Sequence, residues 1–345
     1  MNILFRCDGS YQIGMGHVVR CIALAKTFNE QCKSNITFAM RESATAAQMV
    51  GQLFKVLTPQ NKNDNFHYSK WLIKCINNID ADILVLDVRD GLSRGELINI
   101  KNITNVKIIT IDDPENKRLE ADMAFYPPIP QLKKWNWNDY NGKLSSGWEY
   151  VILRPEFQLN YSKFQNENPE ILVSMGATDP HNITLKILNA IIKLDINVTF
   201  KVLIGSQFLQ EKELNYFCEQ ASNKIIIEKN PMNVAKIMSS ADIAVLSFGM
   251  TAYEVVALNI PALYICISPD HALSASAFVN AGLGISLGLY DNLNDSIVQT
   301  ELKNMIEKKS EYYGRLKEKK LIDGHGAYRT AELIIKEYSR TNAYG

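Results

Sequence analysis

Residues 2–24, NILFRCDGSYQIGMGHVVRCIAL, decide how the rest of the chain is read. Ile3, Leu4 and Phe5 form an apolar run with the bulk of a buried strand. Small, polar and glycine residues follow through Gly16. From His17 onward Val18, Cys21, Ile22 and Ala25 recur at the spacing of one helical face. The stretch is therefore strand, loop, helix, with Asp8 just past the strand's carboxyl end and His17 in the helix's first turn. Gly14 and Gly16 strip the loop of side-chain bulk, so a ligand can approach its backbone closely. Free N–H groups at a helix N-terminus favour an anion there. The G-x-G-x-x-G pattern of dinucleotide sites is not met, since Val19 and Arg20 stand where the third glycine belongs. Arg41, after the second expected strand, replaces the acid of an NAD ribose clamp. A purely structural reading, with His17 capping the helix and the glycines making a tight turn, competes with the ligand reading.

Outward from this unit, strand and helix patterns alternate. Strands are expected at 36–39, 54–57, 81–87 and 106–113, and helices at 43–51 (opened by a Ser43 cap), 68–77 and 93–101. Such alternation implies a parallel sheet, whose ligands collect at the strands' carboxyl ends. Asp8, Asp87, Asp112 and Asp113 fall at that edge, although each alone is explicable as a local cap. Residues 125–131, FYPPIPQ, carry three prolines in four positions and are read as irregular. Trp135, Trp137 and Trp148 follow and are read as packing residues rather than a sugar-stacking platform. A last strand is expected at 150–153, and the polar stretch 154–169, with Pro155 and Pro169, reads as a linker.

The alternation then restarts. Strands are expected at 171–174, 198–204, 225–227 and 261–267, and helices at 211–221, 234–239 and 272–281. Asp179 and Pro180 suit the N-cap and first helical position of a helix at 182–193. Residues 241–258, ADIAVLSFGMTAYEVVAL, read as strand, small-residue turn at Ser247 and Gly249, and helix. The charged amphipathic stretch 297–338 breaks at Asp323 and Gly324, and residues 327–338 are expected to return to the first domain. The expected domains are 1–155 and 170–345, joined by a linker at 156–169.

A chain of 345 residues exceeds what one hydrophobic core usually serves, consistent with two domains. Lys plus Arg equals Asp plus Glu at 37 each, so no broad attraction to nucleic acid or membrane is expected. No apolar run approaches the roughly 20 residues of a membrane span. Arg6 and Asp8 interrupt what would be the apolar core of a signal peptide. The six cysteines form no C-x-x-C pair, so reduced thiols and a cytoplasmic location are expected. Cys7, placed in the loop beside Asp8, is expected to be the accessible one. No metal-ligand cluster is visible.

Two segments carry a family resemblance. RCDGSYQIGMGHVVRCIALA, residues 6–25, resembles the opening R-x-D-x-x-x-x-I-G-x-G-H-x-x-R-x-x-x-L-A of the UDP-sugar hydrolases of pseudaminic acid biosynthesis. VSMGATDPHNITLKILNAI, residues 173–191, is similar to their S-x-G-G-x-D-x-x-N-L-T segment. That group includes spore-coat polysaccharide proteins and shares the GT-B architecture of many glycosyltransferases. The resemblance implies an α/β, GT-B-like fold: two Rossmann-like, doubly wound parallel-sheet domains facing a cleft. It implies hydrolysis of a UDP-activated deoxyamino sugar at its anomeric carbon, with His17 as general base, a role an imidazole titrating near neutrality suits. An inverting glycosyltransferase, with His17 deprotonating an acceptor hydroxyl, uses the same parts. Two departures bear on the choice: DVRD at 87–90 replaces D-H-Y-G, and SPDHALSASAF at 268–278 replaces an Asn-Gln pair.

The candidate site follows. His17 and Asp8 are the catalytic candidates, Asp8 holding either His17 or the sugar. Ser247, Gly249, Met250 and Thr251 form a small-residue turn at a helix start, suited to a pyrophosphate without a metal or other cofactor. Glu254 suits ribose hydroxyls as a double acceptor, against the local alternative of a Thr251–Glu254 capping box. Gly176 and Gly205 follow other strands of the same sheet and complete the nucleotide set. Gly14, Gly16, Arg20, Asp87, Asp179, Asn182 and His271 are the candidate substrate contacts. The expected partner is a small-molecule nucleotide sugar, and the expected state a monomer or weak dimer.

Overall fold

The structure is a computed structural model that describes residues 1–10, 14–41, 44–59, 67–159, 161, 168–194 and 196–343. The expected Ser43 cap and residues 160 and 162–167 of the expected linker lie outside the described residues. The chain divides into two compact units. The first comprises Met1–Pro128, Lys134–Arg154 and His325–Gly345, and the second Ile129–Lys133 and Pro155–Gly324.

In the first unit, β1 (Asn2–Cys7), α1 (Gly16–Cys32), β2 (Asn35–Ala39), α2 (Ala44–Gly51), β3 (Lys55–Leu57) and α3 (Tyr68–Asn78) alternate as expected. They continue through β4 (Ile83–Asp87), α4 (Arg94–Thr104), β5 (Lys107–Ile111), β6 (Met123–Tyr126) and β7 (Lys143–Ser146). The strands form one parallel sheet in the order β3-β2-β1-β4-β5-β6-β7. Successive side chains of a strand point to opposite faces, and each face has its own core. Ile3 and Phe5 pack with Val18, Cys21 and Phe28 of α1, while Leu4 packs with Leu72 and Ile76 of α3 and Leu97 of α4.

The second unit carries β8 (Glu170–Ser174), α5 (Ile183–Ile191), β9 (Thr199–Ile204), α6 (Glu211–Gln220), β10 (Lys224–Lys229) and α7 (Val234–Ser239). Then come β11 (Ile243–Ser247), α8 (Met250–Ala257), β12 (Ala262–Cys266), α9 (Pro269–Asn280), β13 (Gly284–Leu289), α10 (Asp295–Glu307) and α11 (Lys309–Lys319). Its parallel sheet runs β10-β9-β8-β11-β12-β13. Both orders reverse direction beside the first strand of their sheet, at β1|β4 and β8|β11, which is the doubly wound pattern.

Several expectations are corrected. Residues 150–153 are not a strand: Trp148–Tyr150 is a single 3-10 turn, and the edge strand is instead β7, KLSS. That strand is polar because an edge needs no second buried face and is safer without one. Phe125 and Tyr126 of FYPPIPQ end β6 and are buried, so irregularity begins only at the prolines. Helix α5 starts at Ile183, not at Pro180, because Asp179 and Asn182 both adopt positive φ (41° and 50°). Strand β13, GISLGL, adds to the expected strands, its glycines being poor strand signals in the sequence. The last helix, α12 (Gly326–Ala343), groups with the first unit, the return expected of residues 327–338, with Ala327, Ala331 and Ile334 buried in the core of Ile3 and Phe5. Cys7 ends β1 with no exposed surface instead of lying accessible in the loop. Trp135 and Trp137 pack edge-on against Tyr126 and carry the Arg118 guanidinium on their faces. No helix among the described residues is long and apolar enough to cross a membrane.

Candidate functional site

At the β1|β4 switch the register pairs Cys7 with Asp87, so Asp87 emerges beside the loop that leads into α1. Two residues of α1 meet it. His17 Nδ1 lies 2.6 Å from Asp87 Oδ1, and Arg20, one turn on, donates Nη2 to Oδ1 (2.6 Å) and Nε to Oδ2 (2.7 Å). Helical spacing explains the pairing: positions i and i+3 share a face. Asp87 is fully buried, and burial alone would raise its pKa. The Arg20 guanidinium and then His17 overrule burial and hold the carboxyl well below the usual carboxylate range. Arg20 is likewise penalised by burial and held protonated by Asp87. An ionised Asp87 only accepts hydrogen bonds. Nδ1 of His17 therefore donates to Asp87, an assignment made from the network. The His17 side chain is about one-fifth exposed, at 21%.

The structure thus brings His17, Arg20 and Asp87 together. Asp87 and Arg20 face each other and His17. Asp8 does not touch His17. Arg6 Nη2 sits 2.5 Å from its Oδ2, and the Arg41 amide donates to its Oδ1 at 2.7 Å. Gly14 keeps a positive φ of 74° in the loop, and Gly16 is the first residue of α1.

Beside this triad lies a second ionic network that the sequence reading missed. Arg6, fully buried, donates Nε to Tyr68 Oη (2.7 Å) and Nη2 to Asp90 Oδ2 (3.0 Å), and Tyr68 also donates to Asp90. Arg41 stacks over the Tyr68 ring at 4.3 Å. Buried Lys117 pairs with Asp113 (3.3 Å) and with Glu115. Burial pushes the Asp113 carboxyl up to about 6 against the pull of Lys117. The available signal was Arg6 itself, a charge inside an otherwise apolar strand, which cannot be buried without partners.

At the β8|β11 switch the residues carry no charge. Gly176, at a φ of 87°, follows β8, and Ser247 ends β11 on the adjacent strand. A Cβ on Gly176 would lie 3.9 Å from Ser247 Oγ, ordinary contact distance, so the two residues are neighbours at the switch. Gly249 is the N-cap of α8 and offers no side chain, leaving the first-turn amides at Met250 and Thr251 without a side-chain cap. Thr251 stands inside the helix, not at the N-cap, so the Thr251–Glu254 capping box does not form. Glu254 is buried on the same helix. His271, in the first turn of α9, sets its ring edge-on to Phe248 beside Ser247 (6.2 Å between centroids).

Three expected ligand residues have structural tasks here. Asp179 is buried and caps α5, its oxygens accepting from the amides of Ile183 (2.9 Å) and Thr184 (2.7 Å). Asn182 is the exposed αL residue before that helix. A Cβ on Gly205 would collide with Ala177 O at 2.4 Å, so this glycine is required by backbone packing. Among the described residues no group of His, Cys, Asp and Glu is arranged to hold a metal ion.

No protein-family model matches the chain. An uncharacterised protein of Methanocaldococcus jannaschii is 31% identical over 274 residues, covering 76% of this chain and 54% of the relative, so the chain spans about half that relative's length. The spore coat polysaccharide biosynthesis protein SpsG of Bacillus subtilis is 25% identical over 351 residues, covering 99% of both chains. The UDP-2,4-diacetamido-2,4,6-trideoxy-beta-L-altropyranose hydrolase of Campylobacter jejuni is 24% identical over 292 residues, covering 82% of this chain and 97% of the relative. Among solved structures, MurG of Acinetobacter baumannii superposes with a TM-score of 0.69 at 13% identity over 97% of this chain and 99% of that one. The glycosyltransferase VinC in complex with dTDP gives 0.68 at 12% identity over 99% and 100%. The fold is therefore GT-B, and the chain's homologues, at modest identity, include a UDP-sugar hydrolase and a polysaccharide biosynthesis protein.

Proposed function

We propose that this chain hydrolyses the bond between UDP and a deoxyamino sugar, releasing UDP and the free sugar for the synthesis of a pseudaminic-type acid or a surface glycan. The observation that carries the reading is the 2.6 Å contact of His17 Nδ1 with a buried, ionised Asp87. With Nδ1–H committed to Asp87, Nε2 takes a proton from water as its oxygen attacks the anomeric carbon. The carbon–oxygen bond to the diphosphate breaks on the opposite side, and UDP leaves. Asp87 stabilises the imidazolium formed and fixes its ring. The departing diphosphate charge falls to Ser247 Oγ and the uncapped first-turn amides of α8, donors already in place and needing no reorganisation. Glu254 is assigned to the ribose hydroxyls. Homology to a UDP-sugar hydrolase supports the reaction class. In this reading the protein works in the cytoplasm, as a monomer or weak dimer, without a metal or other cofactor.

Transfer to a sugar hydroxyl is the second reading, favoured by SPDH at residues 268–271 and DVRD at 87–90, which depart from the hydrolase pattern. One assay separates the two. The protein is incubated with a UDP-activated diacetamido-trideoxy sugar and no acceptor. Stoichiometric UDP and reducing sugar support hydrolysis, release only on adding a sugar acceptor makes the protein a transferase, and binding without turnover overturns both.

A further inference from the structure

Five aspartates gather at the carboxyl edge of the first sheet, and they are not equivalent. The side chains of Asp8, Asp87, Asp90 and Asp113 are 3%, 0%, 6% and 1% exposed, each consumed by buried cations or backbone amides. Asp112 is 21% exposed, as open as His17. Its amide donates to Phe125 O at 2.8 Å, which pins the backbone to β6. Among the described residues its carboxylate has one side-chain hydrogen bond, from Arg20 Nη1 to Oδ2 at 3.3 Å, long for a charge-assisted bond. Glu115 is more exposed, at 35%, but is held by the buried Lys117 ammonium. One guanidinium therefore has Asp87, the partner of the base, on one side and an accessible carboxylate on the other.

Resting on the reading that the His17 edge receives the sugar, we propose that Asp112 is the specificity-determining residue for the ring substituents of that sugar. A carboxylate only accepts hydrogen bonds, so it suits hydroxyl, amino and acylamino groups. It repels a ring carboxylate, and like charges placed together discriminate strongly between otherwise similar ligands. The substrate class is thus a neutral or amino sugar nucleotide, and uronic acid nucleotides are rejected.

Calorimetric titration of the full chain with UDP, UDP-glucose and UDP-glucuronic acid tests this. The two sugar nucleotides differ only in a hydroxymethyl against a carboxylate. The unmutated protein should bind UDP-glucuronic acid at least about tenfold more weakly than UDP-glucose, the scale of a modest like-charge penalty. D112N should bring the two within about threefold while UDP alone is unchanged, and D112E, which keeps the charge, should preserve the gap. Thermal unfolding of both variants shows that the fold persists. An unmutated protein that binds UDP without discriminating, or a gap that survives D112N, overturns the proposal. Failure of UDP itself to bind would instead overturn the functional reading on which it stands.

Discussion

The carboxyl edges of the two sheets occupy the same place in the same strand order, yet they are built from opposite materials. The first is crowded with ionisable side chains: His17, Arg20 and Asp87 at the switch, with Arg6, Asp8, Tyr68, Asp90, Asp113 and Lys117 beside them. The second meets its switch with Gly176, Ser247 and Gly249 and the uncapped start of α8. Side-chain ions can be tuned and can move protons, as a base must. Backbone amides carry fixed partial charge and no proton chemistry, which suits holding a diphosphate. The difference teaches that one topology supplies a position, and the residues placed there decide between chemistry and binding.

The largest expected effect is on the crowded edge. Asp87→Ala leaves Arg20 buried without its main partner, and breaking such a pair should cost about 3–5 kcal/mol of stability in the first unit. All four tryptophans lie in that unit, so urea unfolding followed by tryptophan fluorescence reads it directly. A change of under about 1 kcal/mol would mean the edge is solvated and not locked.

Acid behaviour sharpens the contrast within that edge. Asp113 has a folded-state pKa of about 6 against an ordinary 3.8, so between those values the folded state binds more protons than the unfolded one. Stability from this group is therefore greatest at low pH and falls as pH rises toward 6, by about 3 kcal/mol at most. Asp87, with a lowered pKa, has the opposite sign, and its contribution persists until strongly acid pH. Asp113→Asn should flatten the stability profile between about pH 4 and 6. An unaltered profile would show that Asp113 is ionised at little cost.

On the second sheet's edge the expected effect is smaller. Calorimetry on Glu254→Ala should show UDP binding weakened by about 1–3 kcal/mol, the scale of charged hydrogen bonds. Unchanged affinity would make Glu254 a packing residue of α8.

The sequence made the strand ends legible, because apolar runs stop at acids and glycines: Asp87 after ILVL, and Gly249 just past IAVLS. It placed His17 correctly in a helix's first turn. What it did not make legible was partnership. Asp87 stands 70 residues from His17, and only the adjacency of β1 and β4 brings that acid, rather than the near neighbour Asp8, to the ring. Asp8 turned instead to Arg6, two residues before it on the same strand face. Asp179 reads both as a ligand residue and as a helix cap, and its oxygens accept from the amides of Ile183 and Thr184 as a cap's do. Strand β7 is not legible in the sequence because a polar edge strand leaves no apolar alternation behind.

The central claim is that catalysis resides on the first sheet's edge and nucleotide binding on the second's, and His17→Asn divides them. UDP release from a UDP-activated diacetamido-trideoxy sugar should fall by about 10²- to 10⁴-fold, the share a positioned general base supplies. The affinity of the same variant for UDP should stay within about twofold of the unmutated protein, since His17 lies outside the second unit. Turnover above about a tenth of the original rate, or a matching loss of UDP affinity, would contradict the account.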